Sequence, residues 1–426
     1  MFLMSRLVQF MNVTLFIFLM VYLAMGLGKL PGFKVDRTGA AMIGAMAMMA
    51  VGSIGAKAAW VAVDYRTIGM LFGLMVVSGA FAESGFYEWA ARKVATLSVG
   101  PIALLAVFVV VSGFLSALLT NDVVVVAMTP LLVSVTLARR LNPVPFLLAF
   151  CFAANTGSAG TLIGSPQNMI AAQELGISFT GFLSVAGIPA LLSLPVVWGI
   201  VAWMYRGKFT LKESEIPQNI STKQPVAMPL NIHETCKAAI ITVAVIIAFV
   251  LDFWPKELVS LTAAAILLLN RKISSQDVLH RVDANLLLLI SGLFIVNAAL
   301  SNTGLPQNIL YHLHKGGVDL NDPISLFFTS ATLSNIIGNN PTVMLLVPFL
   351  NPGTHANAMG AALALGTGFF SNLIIFGSLA GIIVVEQAAL CGVKISFKTF
   401  TRVGAPVSII CMLMATGWIS FLMRNY

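Results

Sequence analysis

Charge is what this chain has least of. Only 9% of its 426 residues are Asp, Glu, Lys or Arg, against 58% hydrophobic, and the mean hydropathy is +0.93. A soluble domain carries about a quarter of its residues as charges, so that class is excluded. Cysteine is scarce too. The four present, Cys151, Cys236, Cys391 and Cys411, show no CxxC spacing and three lie in apolar runs, which argues against a disulfide framework or a metal cluster. The five histidines (His233, His280, His312, His314, His355) fall in loops or interface segments, none in HExxH, and no GxSxG nucleophile elbow occurs. Nothing in the chain points to an enzyme or to a resident cofactor. The net charge is +8, yet the basic residues sit in short segments between apolar runs with no interleaved aromatics, so nucleic acid is not a partner.

What is present is apolar sequence in lengths that match a bilayer. Ten runs can cross ~30 Å of hydrocarbon: 7–27, 38–54, 66–82, 145–175, 182–205, 237–253, 257–270, 284–300, 357–390 and 403–423. The first is too long for the apolar core of a signal peptide and counts as a span. Two further runs, 101–138 and 323–350, are split at their middle by a polar pair and read as re-entrant hairpins with two short arms. The fourth crossing contains NTGSAGTLIGSPQN (Asn155 to Asn168) and the ninth GTGFFSNLIIFGSLAG (Gly366 to Gly381), both too rich in Gly, Ser or Pro for a continuous helix. Each is a broken helix. Backbone groups freed at membrane depth are tolerated only where protein or a wet cavity satisfies them, so breaks and hairpin tips are expected to face one another.

The sequence also repeats. SALLTNDVVVVAMTP (Ser116 to Pro130) and SNIIGNNPTVMLLVP (Ser334 to Pro348) carry one pattern 218 residues apart, with Asn121-Asp122 and Asn339-Asn340 each starting nine residues before a proline. Upstream, Gly73 to Gly85 matches Gly292 to Gly304, Val63-Asp64 matches Val282-Asp283, and Gly164-Ser165 matches Gly377-Ser378. Placing the amino terminus outside puts 18 Lys and Arg inside, among them Lys29, Lys34, Arg37, Arg139, Arg140, Arg271 and Lys272. Six lie outside: Arg6, Lys57, Arg66, Lys256, Lys315 and Arg424. That asymmetry sets the orientation. Five crossings per half is an odd number, so the halves run in opposite directions. The expected fold is an all-α polytopic membrane protein of two inverted-topology repeats, each of five crossings plus a re-entrant hairpin and a broken helix. The first repeat is 1–205, a cytoplasmic linker follows over 206–236, and the second repeat is 237–426. Within the first repeat, FYEWAARKVATL (86–97) suits a helix lying in the interface plane.

Polar groups at matching points of two halves mark a transporter's midplane site. Asp122 is the sharpest single residue: it can ligand Na+ or exchange a proton, or it can cap the arm that follows it. Thr120, Asn121, Asn155 and Asn339 offer oxygens beside it for the coupling ion. Helix N-termini at the tips favour an anionic ligand, with Asn121, Asn339, Asn340, Thr342, Ser165, Gln167, Asn168 and Ser378 as substrate donors. Glu83 and Glu386 end apolar runs; Glu83 reads as an interface acid, and Glu386 as buried. The Met-rich stretch Gly39 to Gly55 has small residues at four-residue spacing and reads as helix packing.

ESGFYEWAA (Glu83 to Ala91), NDxxxxxxTP (Asn121 to Pro130), NNPTV (Asn339 to Val343), GSLA (Gly377 to Ala380) and RxG (Arg402 to Gly404) together resemble the ion transporter superfamily. That group holds arsenite-efflux permeases, NhaD-type sodium/proton antiporters, and citrate, dicarboxylate and sulfate carriers. The likeness runs nearly the whole chain and is nearest the arsenite-permease branch. It implies a homodimeric secondary transporter in the bilayer, with a scaffold and a mobile domain that carries both hairpins and both broken helices. It further implies a small anionic substrate, a bacterial inner-membrane location, and a soluble ATPase subunit if the chain is an arsenite pump. The chain departs from that branch in carrying Asn155 in the first broken helix and no acid in the second. The expected function is secondary active transport of a small anion or oxyanion, arsenite or antimonite or a carboxylate, coupled to Na+ or H+ by elevator-like alternating access. The alternative is a Na+/H+ antiporter with Asp122 as the exchanging carboxylate.

Overall fold

The structure is a computed structural model that describes residues 2–30, 32–211, 229–305, 315–351 and 353–425. Among these there is no strand, only two isolated bridging pairs, Lys29 with Asp36 and Leu141 with Thr210. The first half holds α1 (Phe2–Leu27), α2 (Arg37–Ala50), α3 (Ala56–Ala62), α4 (Tyr65–Glu83), α5 (Phe86–Ala95), α6 (Pro101–Leu118), α7 (Asn121–Ala138), α8 (Pro143–Ser158), α9 (Pro166–Glu174) and α10 (Phe179–Met204). The second holds α11 (Ile232–Leu251), α12 (Lys256–Leu268), α13 (Ser275–Leu279), α14 (Ala284–Ser301), α15 (Pro323–Ile337), α16 (Asn339–Leu346), α17 (Ala356–Phe370), α18 (Leu379–Leu390) and α19 (Phe397–Asn425). The middle of the expected linker, 212–228, lies outside the described residues.

Local chemistry explains where these helices start. Asp36, Asp64, Asp283 and Asp322 each accept a backbone N–H in the first turn of α2, α4, α14 and α15, which satisfies donors that a helix cannot pair internally. Proline opens α6, α8, α9 and α15, where its missing N–H removes nothing. Seven helices, α4, α6, α7, α10, α11, α14 and α19, are long and apolar enough to cross a membrane; shorter apolar helices include α8, α15, α17 and α18. The protein is a multi-pass integral membrane protein. Each predicted crossing coincides with a helix or, at the fourth and ninth, with a broken pair: α8 with α9, and α17 with α18.

The hairpin arms differ from the short arms the sequence predicts. Both α6 and α7 have 18 residues, about 27 Å at 1.5 Å per residue. Pro130 sits inside α7. Neighbouring helices in a membrane protein can accommodate the carbonyl that proline leaves unpaired, and α7 packs on α5, α8 and α18. In the second hairpin the matching Pro348 does end regular helix, and α16 passes into a single 3-10 turn, Val347–Phe349.

The two halves interlock by exchanging partners. α4 packs on α12, α14 on α2, α7 on α18 and α16 on α9, while within each half α6 packs on α8 and α15 on α17. The matched glycines mark two of these crossings. A Cβ on Gly73 would collide with the Ser260 backbone of α12, and one on Gly292 would come within 2.9 Å of the Ala41 carbonyl carbon of α2. Small residues let helices approach without a solvent-driven hydrophobic term. The amphipathic α5 follows α4, with Tyr87 fully buried and Trp89 exposed, and rests on α7.

Candidate functional site

The two hairpin tips are held by different means. At the first, Thr120 N donates to Ser78 Oγ of α4 (3.0 Å) and Asn121 N donates to the Gly164 carbonyl (3.1 Å), so the tip is tied to α4 and to the break between α8 and α9. At the second, Gly338 joins α15 to α16 at φ +93°, a conformation that a side chain would strain. Asn335 braces this tip through Nδ2, which donates to the Ala331 carbonyl (3.2 Å) and to the Phe370 carbonyl at the end of α17 (3.1 Å).

The broken helices free carbonyls, and amides close to them in sequence take these up. Asn168 Nδ2 donates to the carbonyls of Ser158 (2.9 Å) and Thr161 (2.8 Å). Ser378 Oγ caps α18 by accepting from Gly381 N (2.9 Å). Asn155 joins the two breaks: its Nδ2 donates to Asn372 Oδ1 (2.8 Å) and to Ser378 Oγ (2.9 Å), while Asn372 Nδ2 reaches the Phe152 carbonyl (3.3 Å). All three side chains are buried, where a lost partner costs more than the net value of one bond.

Between tips and breaks lies a cavity of about 800 Å³. Of the residues the sequence singles out, it is lined by Asn121, Asp122, Gln167, Asn339, Asn340, Ser378 and Glu386. Asn121 and Asn339 both line this cavity. Thr120, Asn155, Ser165, Asn168 and Thr342 do not line it; they are buried, Asn155 bonded to the lining Ser378 and Asn168 occupied with the first break. Glu83 is elsewhere, its Oε1 2.6 Å from Arg281 Nε.

The lining is rich in oxygen. Asn121, Asn335, Asn339 and Asn340 each have an Oδ1 with no hydrogen-bond partner, as do Asn155 and Asn168, and the hydroxyls of Thr120, Ser165 and Thr342 are likewise unpartnered. Buried polar atoms normally find a partner, so this concentration sets the region apart from the rest of the helical core. Amide and hydroxyl oxygens can coordinate a cation, and the amide nitrogens of the same side chains can donate to an anion. Four carboxylates line the cavity, Asp36, Asp122, Asp283 and Glu386, against one cation, Arg37. Among the described residues no group of three or more His, Cys, Asp or Glu is spaced to hold a metal ion.

The family model described as CitMHS, citrate transporter, matches residues 18–368. The chain belongs to the citrate transporter family. This member is 29% identical over 412 residues to a 46 kDa membrane protein of Mycobacterium leprae, covering 92% of this chain and 96% of that one. It is 28% identical over 426 residues to the silicon efflux transporter LSI3 of Oryza sativa subsp. japonica, covering 84% and 87%. Its fold matches the Alcanivorax borkumensis YdaH transporter with a TM-score of 0.60 at 13% identity over 98% of both chains. It also matches Neisseria gonorrhoeae MtrF with a TM-score of 0.60 at 12% identity, covering 96% and 94%.

Sequence reasoning did not single out Asp36, Arg37, Thr38, Asp283, Asn285 or Asn335 for this site, though all line the cavity of this citrate transporter family member. Arg37 counts in the sequence only as a topology charge. Asp36 and Asp283 stand just before apolar runs and look like helix caps, which they also are. A usable signal existed at Asn335, which lies within the repeated segment four residues before Asn339.

Proposed function

We propose that this citrate transporter family member is a secondary active transporter of a small anion or oxyanion, coupled to Na+ or H+. The observation that carries the reading is the shared cavity, in which both hairpin tips meet Ser378 and Gln167 of the broken helices. Amide nitrogens and the starts of α7 and α16 suit the anion. The carboxylates require that it does not travel alone. Four acids against one arginine would repel a bare anion in a region of reduced dielectric, so an accompanying cation bound among the unpartnered oxygens makes entry favourable.

The halves form inverted repeats, and α6 to α9 with α15 to α18 form the mobile body; the exchanged packing of α7 on α18 and α9 on α16 supports their moving together. With the amino terminus outside, the lining residues Gly28, Asp36 and Asp283 stand at cytoplasmic helix ends, which supports a cavity open to the cytoplasm. The protein works as a homodimer in a bacterial inner membrane. An ATPase partner would apply only to an arsenite pump, and efflux, the direction named for the Oryza relative, is one direction to test.

The deciding experiment is flux in proteoliposomes of the full chain. Citrate, succinate, sulfate, phosphate, arsenous acid and silicic acid are each offered under a Na+ or a pH gradient. Gradient-dependent flux of one anion is expected; flux of none under either gradient would refute the reading. The acids beside Asp122 favour a second reading, Na+/H+ antiport, since Asp283 and Glu386 supply further carboxylates in the same cavity. Na+ flux driven by a pH gradient with no other solute present would decide for it.

A further inference from the structure

Among the described residues Arg37 is the one basic side chain lining the cavity, and none of them forms an ion pair with it. It stands at the first position of α2, and its Nε donates to the Met25 carbonyl at the end of α1 (2.9 Å), which fixes the guanidinium plane. Among the described residues it forms no ion pair, although four carboxylates share the cavity with it; Asp36, its neighbour in sequence, spends Oδ1 on Gly39 N instead. Its Nη1 lies 3.9 Å from where a Cβ on Gly338 would stand, and so faces the second hairpin tip. A half-buried guanidinium with its outer N–H donors free, beside the N-terminal end of α16, is a strong site for a planar or tetrahedral oxyanion.

We propose that Arg37, with the Gly338–Asn340 tip, forms the anion-binding subsite, taking a carboxylate or an oxyanion of similar geometry. The coupling cation then belongs at the opposite tip, beside Asp122. The tips differ accordingly: the position that carries a carboxylate in the first carries Asn340 in the second, and a carboxylate there would add a fifth acid to the cavity that Arg37 lines. Arg37 sits on α2, outside the hairpins and broken helices. If those move as one body, Arg37 meets the substrate only in the state described by this structure. The inference rests on the anion-transport reading and adds to it a residue and a side of the membrane.

The test uses the full-length protein with citrate, succinate and sulfate as probes. Affinity is measured by calorimetry in detergent, and KM is measured from each side of a proteoliposome. Arg37→Gln is expected to weaken binding of the anion that wild type binds by about 10- to 100-fold. KM should rise on the side where the cavity opens and stay within a few-fold on the other. Arg37→Lys, which keeps charge but loses the fork, should recover part of the loss. Arg37→Gln binding the anion as wild type does would overturn the subsite and leave anion transport standing. Wild type binding none of the three anions while carrying neutral arsenous or silicic acid would remove the anion reading itself. Should Arg37→Gln fail to fold, wild-type protein is treated with phenylglyoxal and Arg37 modification is read by mass spectrometry. Slowing of that modification by the bound anion supports the subsite, and an unchanged rate overturns it.

Discussion

Asn155 and Asn372 are bonded side chain to side chain, Nδ2 to Oδ1 at 2.8 Å, across 217 residues of sequence. Each lies at one break of the two broken helices, so one amide pair holds both interruptions in register. Its immediate neighbour is Ser378, which accepts from the same nitrogen and lines the cavity.

Removing that amide should be felt in stability before transport. Asn155→Ala leaves Asn372 Oδ1 buried without its donor, at a cost of about 1–3 kcal/mol, and lowers the thermal midpoint of the detergent-solubilised protein. Asn155→Asp removes the donor and sets a buried carboxylate against Asn372 Oδ1, with only the Ser378 hydroxyl able to donate to it, so it should be worse than alanine. An unchanged midpoint in both would mean that the link between the breaks is not needed.

Asp122, read from sequence as a coupling residue or a helix cap, is the second residue of α7 and does not occupy its cap position, which is Thr120. The matched position in the second tip already holds Asn340. Asp122→Asn should therefore fold normally and lose the dependence of flux on the Na+ or pH gradient. Gradient-driven flux equal to wild type in a folded Asp122→Asn protein would reduce this carboxylate to a structural role.

At the second tip, Gly338→Ala places a Cβ on a backbone at φ +93°, ψ 161°, a region essentially reserved for glycine, at roughly 1–3 kcal/mol. Transport should fall several-fold, whereas Gly199→Ala, in α10 with nothing within 4 Å of the added carbon, should transport as wild type. Equal activities would show that the tip's conformation does not matter to the cycle.

The ion pair Arg281–Glu83 is only partly shielded, with 38% and 10% of the two side chains exposed. A double-mutant cycle with Arg281→Ala and Glu83→Ala should return a coupling of about 0.2–1 kcal/mol. A coupling of several kcal/mol would mean that the pair is desolvated in the assembled protein.

Cys236 is exposed while Cys151 and Cys411 are buried, so native thiols can report orientation. A membrane-impermeant maleimide should label Cys236 in inside-out vesicles and not in intact cells. The reverse pattern would invert the topology drawn from the Lys and Arg count.

Hydropathy and local composition by themselves determined the membrane class, the positions of the ten crossings and the two breaks. These properties are local or periodic: an apolar run of fixed length must span, and Gly, Ser and Pro at membrane depth must interrupt. Arg37 shows what sequence alone could not decide. In one dimension it is a basic residue next to an apolar run, as a topology signal would be, and only the packing of α2 against α14 carries it to the second hairpin tip. Asn168 and Asn155 show a related point, since sequence marks both as candidate ligands, while the fold spends the Nδ2 of each on holding the breaks and leaves each Oδ1 without a partner. Asp36 and Asp283 cap their helices as their positions suggest, and tertiary structure alone set them round the same cavity as Asp122. The reason is physical: spacing along the chain fixes which residues a helix can satisfy by itself, whereas a site is made where distant helices leave polar atoms without partners, and that depends on how the two halves exchange contacts.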